Sequence, residues 1–190
     1  MLDPMKTVSL PLHTDRLTLR PHVINDAQPL QAIYEQREVA RFLLDEPWTS
    51  EVAATKVAER ILRTDLAGDA GALSLVIDLD GVVIGDVMLW LTDRERGVAE
   101  IGWVLDPAYS GRGFAREAAR ALLDAGFTSV SLHRIAAQMD ARNDGSAKLA
   151  ESLGMRREAH FRQDWWNKGE WTDTVVYGIL ARDRDSDTGR

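Results

Sequence analysis

The chain has no cysteine. Disulfides, thiolate nucleophiles, cysteine-held metals and thiol redox switches are excluded together. Histidine is sparse: His13, His22, His133 and His160 fall at no metal-ligand spacing, so no metal is expected. No run of about 18 apolar residues occurs, so no membrane-spanning helix and no membrane partner are expected. Met1 to Arg16 carries prolines and acids and lacks the apolar centre of a secretory signal; the expected compartment is the cytoplasm. Positive charge is outweighed, with 23 Lys and Arg against 30 Asp and Glu, a formal net charge of −7. Nucleic-acid binders that grip phosphates are usually basic, so no nucleic-acid partner is expected, whereas cations such as amines are drawn in.

What is present is globular. The chain has 190 residues, 45% hydrophobic and 28% charged, which suits one domain. Residues 1–13 read as a lead, 14–180 as the domain, and 181–190 as a polar tail expected to fray. Leu17 to Arg20 reads as a strand ended by Pro21. Asn25 or Asp26 is placed to cap a helix carrying Ala27, Leu30 and Tyr34. Pro47 and Thr49 or Ser50 open a second helix, running to about Leu66 and closed by Gly68 and Gly71. Strands follow at Leu73–Asp78, Val82–Trp90 and Val98–Leu105, with Asp80-Gly81 as a hairpin turn. A helix from about Gly113 to Ala125 precedes a strand at Arg134–Met139, a helix at Asp144–Leu153, and strands at Met155–Phe161 and Thr174–Leu180. The pattern predicts an α/β (α+β) fold: one mixed, mostly antiparallel sheet flanked by helices, with a parallel pair near the middle.

The segment Val98 to Glu117, VAEIGWVLDPAYSGRGFARE, is strand, glycine loop, helix start. The first turn of such a helix has free N–H groups and a positive dipole end, and glycine lets the backbone close on an anion. That is a site for a pyrophosphate. The Walker loop G-x-x-x-x-G-K-S/T is absent. The dinucleotide fingerprint G-x-G-x-x-G/A starts at Gly111 and Gly113 but fails at Arg116. The acyl-CoA loop, Gln/Arg-x-x-Gly-x-Gly/Ala, matches at Gly113 and Ala115, with Ser110 where Gln or Arg is usual. A glycine-rich turn capping a core helix is the alternative. The serine-hydrolase elbow G-x-S-x-G is absent.

Taken together, the sequence resembles the GNAT superfamily of N-acetyltransferases, and most nearly its Rim-type branch, named for acetylation of ribosomal-protein N-termini. The likeness spans about Thr14 to Leu180. It rests on TDRLTLR at Thr14 to Arg20, on Glu100-Ile101-Gly102-Trp103 and Pro107, and on the Gly-x-Gly-x-Ala-x-Glu run ending at Glu117. Leu132-His133-Arg134-Ile135, Asn143 with Ser146, Leu153-Gly154-Met155, and Trp171 with Asp173 complete it. The resemblance implies acetyl-CoA as co-substrate, a sheet splayed between two central strands, direct transfer to an amine, and a possible homodimer. It departs at Ala150, where other branches carry the tyrosine that protonates the departing thiolate.

Alternation places Val98, Glu100, Gly102 and Val104 on one strand face. A glutamate there is costly unless it is paired or functional. Glu100 is therefore the candidate base, with an ion pair to an arginine such as Arg134 as the alternative. Gly102 suggests a bulge or a close backbone approach. By resemblance, N–H groups near Trp103, Val104 and Leu105 polarise the thioester carbonyl. Those of Arg112, Gly113, Phe114 and Ala115, beside Ser110 and Gly111, hold the pyrophosphate. The Arg112 and Arg116 side chains either add charge there or are solvated. Asn143 is a helix N-cap that, by resemblance, also touches the pantetheine arm. Ser146 either serves the leaving thiolate or bonds its own backbone. Trp165, Trp166 and Trp171 cluster at a hairpin turn, some expected in the core and some at the acceptor cleft or a dimer contact; Trp48 is expected to wall the cleft opposite. The acceptor expected is the α-amine of a peptide or protein; a small amine (polyamine, aminoglycoside or amino acid) and a non-catalytic acyl-CoA-binding module are the alternatives.

Overall fold

The computed structural model describes residues 7–185. Its elements are β1 (Leu12–His13), β2 (Thr18–Pro21), α1 (Ala27–Tyr34), α2 (Arg37–Ala40), α3 (Ser50–Ile61), β3 (Thr64–Asp65), β4 (Ala72–Leu79), β5 (Val82–Asp93), β6 (Val98–Leu105), α4 (Phe114–Thr128), β7 (Arg134–Asp140), α5 (Asp144–Ser152), β8 (Arg156–Asn167), β9 (Glu170–Leu180) and α6 (Ala181–Asp185). The strands form one sheet in the order β1-β2-β4-β5-β6-β7-β9-β8, with β3 beside β4. Among the described residues only β6 and β7 run parallel. This is the expected mixed, mostly antiparallel sheet.

Each face buries a separate cluster. The larger one takes α4 and α5, with Ala118, Leu122 and Leu123 packed on Leu89, Ala99 and Ile101. Odd-numbered residues of β6 point there, so even-numbered ones face the other side. The second cluster is Leu30, Ile33 and Tyr34 of α1 with Ala53 and Val57 of α3, and Val104 of β6 packs against it. Gly126 lets α4 lie close: a Cβ there would sit 3.0–3.1 Å from Leu89, Leu132 and Ile135.

Turn chemistry matches the expectation closely. Asp80 and Gly81 both take positive φ, as the two-residue hairpin needs. Thr49 caps α3, its hydroxyl accepting from the Val52 N–H at 3.3 Å. Several boundaries differ. α3 ends at Ile61, not near Leu66, because Thr64–Asp65 pairs with β4 and Leu66 is buried in the sheet's larger cluster. Gly68 and Gly71 therefore lie in a loop. Asp26 does not cap α1: its carboxylate turns inward to take Arg20 at 2.9 Å and the Val23 N–H at 2.7 Å. β8 and β9 extend to Asn167 and from Glu170. β8 is exposed on both faces for most of its length, so it carries no alternation from which to read it.

Leu12 and His13 of the presumed lead join the sheet, and Val8 is buried. At the other end, Ala181–Asp185 is helical rather than frayed; Arg184 pairs with Asp124 and lies over Phe127. The rest of the expected tail lies outside the described residues. No helix among the described residues is long and apolar enough to cross a membrane.

Candidate active site

β6 and β7 pair at Val98–Arg134, Ala99–Ile135 and Glu100–Ala136, and then part. β6 follows β5 as far as Leu105; β7 follows β9 as far as Asp140. Between them opens a cavity of about 210 Å3, lined by Gly102, Trp103 and Val104 on one side and Ala137, Gln138 and Met139 on the other. Asn143 and Ser146 complete the lining from the α5 side, and Tyr34, Phe42, Arg60 and Asp86 from α1 to α3 and β5.

The parting leaves one edge of β6 free. The Asp106 N–H donates to Ile84 O, so that position faces β5. Alternation then turns the N–H groups of Trp103 and Leu105 away from β5, into the gap. The close backbone approach expected at Gly102 lies instead at Gly85, where a Cβ would meet Val104 O at 2.2 Å. Gly102 sits in unbroken register opposite Met88, without a bulge. A Cβ there would touch the Trp90 ring at 3.4 Å, so this glycine keeps the cavity floor open.

Beyond β6, Pro107–Tyr109 makes a short 3-10 turn, and the Ser110 N–H donates to Pro107 O. Gly111 and Gly113 both have positive φ, 72° and 82°. Gly113 caps α4 without a side-chain acceptor, so its first-turn N–H groups stay available. Among the described residues, the N–H groups of Arg112 to Arg116 have no backbone acceptor before Glu117 closes onto Gly113 O. A loop of orphan donors at a helix N-terminus fits a pyrophosphate. Arg16 and Thr14 hold it in place. Glu117 takes the Thr14 hydroxyl at 2.6 Å and the Arg16 Nε at 2.7 Å, while Arg16 Nη1 donates to Arg112 O at 3.0 Å. Burial works against the Glu117 charge, yet these bonds hold its carboxyl below the usual glutamate range. The side chains here do less than expected. Phe114 is buried, Arg112 stacks on Phe114, and Arg116 Nε donates to Ser152 O, joining α4 to α5. Ala115 follows Phe114 in the first turn of α4, where a small side chain leaves the N–H groups clear.

Asn143 is the N-cap of α5, its Oδ1 accepting from the Ser146 N–H at 3.0 Å. The Ser146 hydroxyl accepts from Trp103 Nε1 at 3.2 Å, which ties α5 to β6 across the gap. The hydroxyl is thus aimed across the gap and does not bond its own backbone. Ala150 is fully buried.

Glu100 is not paired with Arg134. Arg134 forks onto Glu158 across Gly178, where any Cβ would collide with both. Glu100 instead accepts from Gln138 Nε2 at 2.7 Å, and Gln138 lines the cavity. The acid in the cavity wall is Asp86, which sequence reasoning passed over. It accepts from the Tyr34 hydroxyl at 2.6 Å and pairs with Arg60, which also donates to the Tyr34 oxygen at 3.0 Å. The available signal was Asp86 alternating with apolar Met88 and Trp90 on one strand face. Burial and the Asp86 charge push the Tyr34 hydroxyl well above the ordinary tyrosine range. Nearby, His22 bonds Ser74 at 3.1 Å, and burial lowers its pKa to about 4.

The tryptophans fall differently from expectation. Trp165, Trp166 and Trp171 are exposed by 49%, 58% and 56%, so none is core, and none lines the cavity. Trp48 is buried, stacked on Tyr34 at 3.9 Å with Arg60 over its ring. It backs the cavity wall without facing the cavity. Among the described residues, no cluster of three His, Asp or Glu side chains could hold a metal ion.

A splayed parallel pair with a donor-lined loop beside it defines an acyl-CoA-dependent transferase fold. The acetyltransferase (GNAT) domain family matches residues 16–156, and the chain belongs to that family. It is 35% identical to the uncharacterized N-acetyltransferase p20 of Bacillus licheniformis, covering 90% of this chain and 97% of the relative. It is 26% identical to the spermidine N(1)-acetyltransferase of Vibrio cholerae, covering 87% and 93%. A GNAT-family acetyltransferase structure from Bacillus anthracis superposes with a TM-score of 0.82 at 28% identity, covering 91% and 99%. RimL, a ribosomal alpha-N-protein acetyltransferase in complex with coenzyme A, superposes with a TM-score of 0.78 at 18% identity, covering 92% and 98%, and so shares the fold. The chain is an acetyl-CoA-dependent N-acetyltransferase.

Two outcomes follow. Gly113→Glu forces a side chain and a negative charge into the donor loop at positive φ; calorimetry is expected to show acetyl-CoA binding at least about tenfold weaker, roughly 1.4 kcal/mol. His22 titrates near 6.5 unfolded and near 4 folded, so the unfolded chain binds more protons between those values and stability falls as pH drops. Urea unfolding is expected to lose about 2 kcal/mol between about pH 7.5 and about pH 5 from this group. His22→Gln is expected to flatten that slope.

Proposed function

We propose that this chain acetylates the α-amine of a peptide or protein N-terminus, in the manner of the Rim-type branch, by direct attack of the amine on the thioester. Acetyl-CoA supplies the activated acyl group. The observation that carries the α-amine reading is the neutrality of the cavity wall. Among its described lining residues the acid is Asp86, and Arg60 and Tyr34 already satisfy it. Apart from Glu100, which stands behind Gln138 and takes a single proton, a polyamine carrying several charges at neutral pH finds no second spare anion there. An α-amine, with a pKa near about 8, is partly neutral already and needs only one proton removed.

The residues divide the work as follows. The loop from Ser110 to Arg116 binds the pyrophosphate through its free N–H groups. The N–H groups of Trp103 and Leu105, with Val104 packed behind, stabilise negative charge as it grows on the thioester oxygen. Glu100, held by Gln138, accepts the amine proton through a water. Ser146, fixed by Asn143 and Trp103, hydrogen-bonds the departing sulfur. The absence of cysteine suits a route without a covalent enzyme intermediate. The exposed hairpin tryptophans, with Trp166 and Trp171 edge to face at 5.4 Å, support self-association as a homodimer. Acetylation of a small amine is the second reading, favoured by the likeness to the spermidine enzyme.

Mass detection of products from a pool of Ser-, Ala- and Thr-starting peptides, polyamines, amino acids and aminoglycosides separates the two. A peptide α-amine product is expected; product on small amines alone would move the acceptor to the second reading. Glu100→Gln is expected to lower turnover about a hundredfold with acetyl-CoA affinity unchanged, within the usual span for a general base. Equal turnover would remove Glu100 from that role.

A further inference from the structure

A second hollow, of about 430 Å3, adjoins the reaction cavity. Arg37 and Arg41 line it from α2 and the residue after it, Lys168 from the β8–β9 turn, and Arg142 from the segment after β7. Arg41 and Arg142 immediately precede Phe42 and Asn143, which line the reaction cavity, so the two hollows share a wall. The hairpin turn is docked onto that wall. Asn167 Nδ2 donates to Leu43 O at 3.2 Å, and Lys168 Nζ donates to Ala40 O.

The charges do not cancel. Arg142 is satisfied by Asp140 at 2.7 Å and Glu170 at 2.8 Å, and that uses up Glu170. Lys168 is bonded only to a backbone carbonyl. Arg37 and Arg41 are exposed, and among the described residues neither has a carboxylate within ion-pair distance, although the Arg41 charge reaches Asp140 and its guanidinium lies over the Phe42 ring. Glu46 is the acid left over. Four cations, Arg37, Arg41, Arg142 and Lys168, thus face three carboxylates, Glu46, Glu170 and Asp140, which leaves an excess of positive charge at this mouth in a chain whose net charge is −7. A local field of that sign concentrates anions and repels polycations.

We infer that this rim selects acceptors bearing acidic side chains just behind the amine that is acetylated: an acidic peptide N-terminus, over neutral or basic ones. The inference rests on the α-amine reading above and sharpens it. An extended chain advances about 3.5 Å per residue, so a peptide leaving the cavity over Phe42 meets the shared wall within its first few residues. Arginine forks suit carboxylates, which they can hold through two bonds at once.

The test uses three peptides that share their first two residues and continue with acidic, neutral or basic pairs. With wild-type enzyme and saturating acetyl-CoA, kcat/KM is expected to be about tenfold higher for the acidic peptide than for the neutral one, equivalent to about 1.4 kcal/mol, mainly through KM. The basic peptide is expected to be slowest. The acid-to-neutral ratio is expected to shrink in about 0.5 M NaCl, where charges are screened within a few ångströms. It should fall close to one in the double variant Arg37→Gln with Arg41→Gln, whose thermal unfolding midpoint checks folding; Arg41→Gln alone provides a milder step. Flat rates across the three wild-type reactions, or a preference that survives the double variant, would overturn the rim and leave the α-amine reading standing. No peptide product, alongside a polyamine product, would overturn both.

Discussion

The parting of β6 from β7 after the Glu100–Ala136 pair is the constraint on which the site depends. Each central strand keeps its outer partner, β5 or β9, to its end, so neither can drift back to close the gap. Gly85 tightens this at one side, since only a residue without Cβ lets β5 come so near Val104 O. Inside the sheet, unpaired backbone groups are costly unless something satisfies them. A gap with free N–H groups on one wall is therefore a groove suited to an extended arm that carries its own acceptors. The Trp103–Ser146 bond spans the gap and sets where α5 begins relative to β6.

A second constraint joins the ends of the family's sequence pattern. Thr14 and Arg16 lie about a hundred residues from Glu117 in sequence, yet all three meet at the start of α4. Glu117 sits in the first helical turn, where a negative charge suits the helix dipole. By bonding Glu117 and the Arg112 carbonyl together, Arg16 fixes the loop between them. The donor groups are then oriented before any anion arrives, and less ordering remains to be done on binding. The buried Tyr34–Asp86–Arg60 group likewise fixes the facing part of the cavity wall, with Trp48 packed behind it.

The local signals were legible wherever one residue type answers one backbone need. The glycine loop, the Asp80-Gly81 turn, the Thr49 and Asn143 caps and the alternation of β6 all stand as the sequence pattern predicts. Legibility failed where a side chain's partner lies far along the chain. Arg134 was available to Glu100 by position, but Glu158 on β8 takes it and Gln138 takes Glu100. Asp26 has the chemistry of a cap, but Arg20 draws it inward. Trp165, Trp166 and Trp171 have core-like chemistry, but the first two lie on β8, the last strand of the sheet, and Trp171 faces Trp166 from the exposed start of β9.

The sequence by itself determined the class of fold, the glycine loop before α4 and the family, because spacing and turn chemistry are local and additive along the chain. Tertiary structure alone decided which acid faces the cavity, what Glu100 bonds to, and that Arg37, Arg41 and Lys168 gather at one mouth. Those outcomes depend on which strands part and where a hairpin docks. They are competitions between distant partners, settled by burial and charge only once the sheet is assembled.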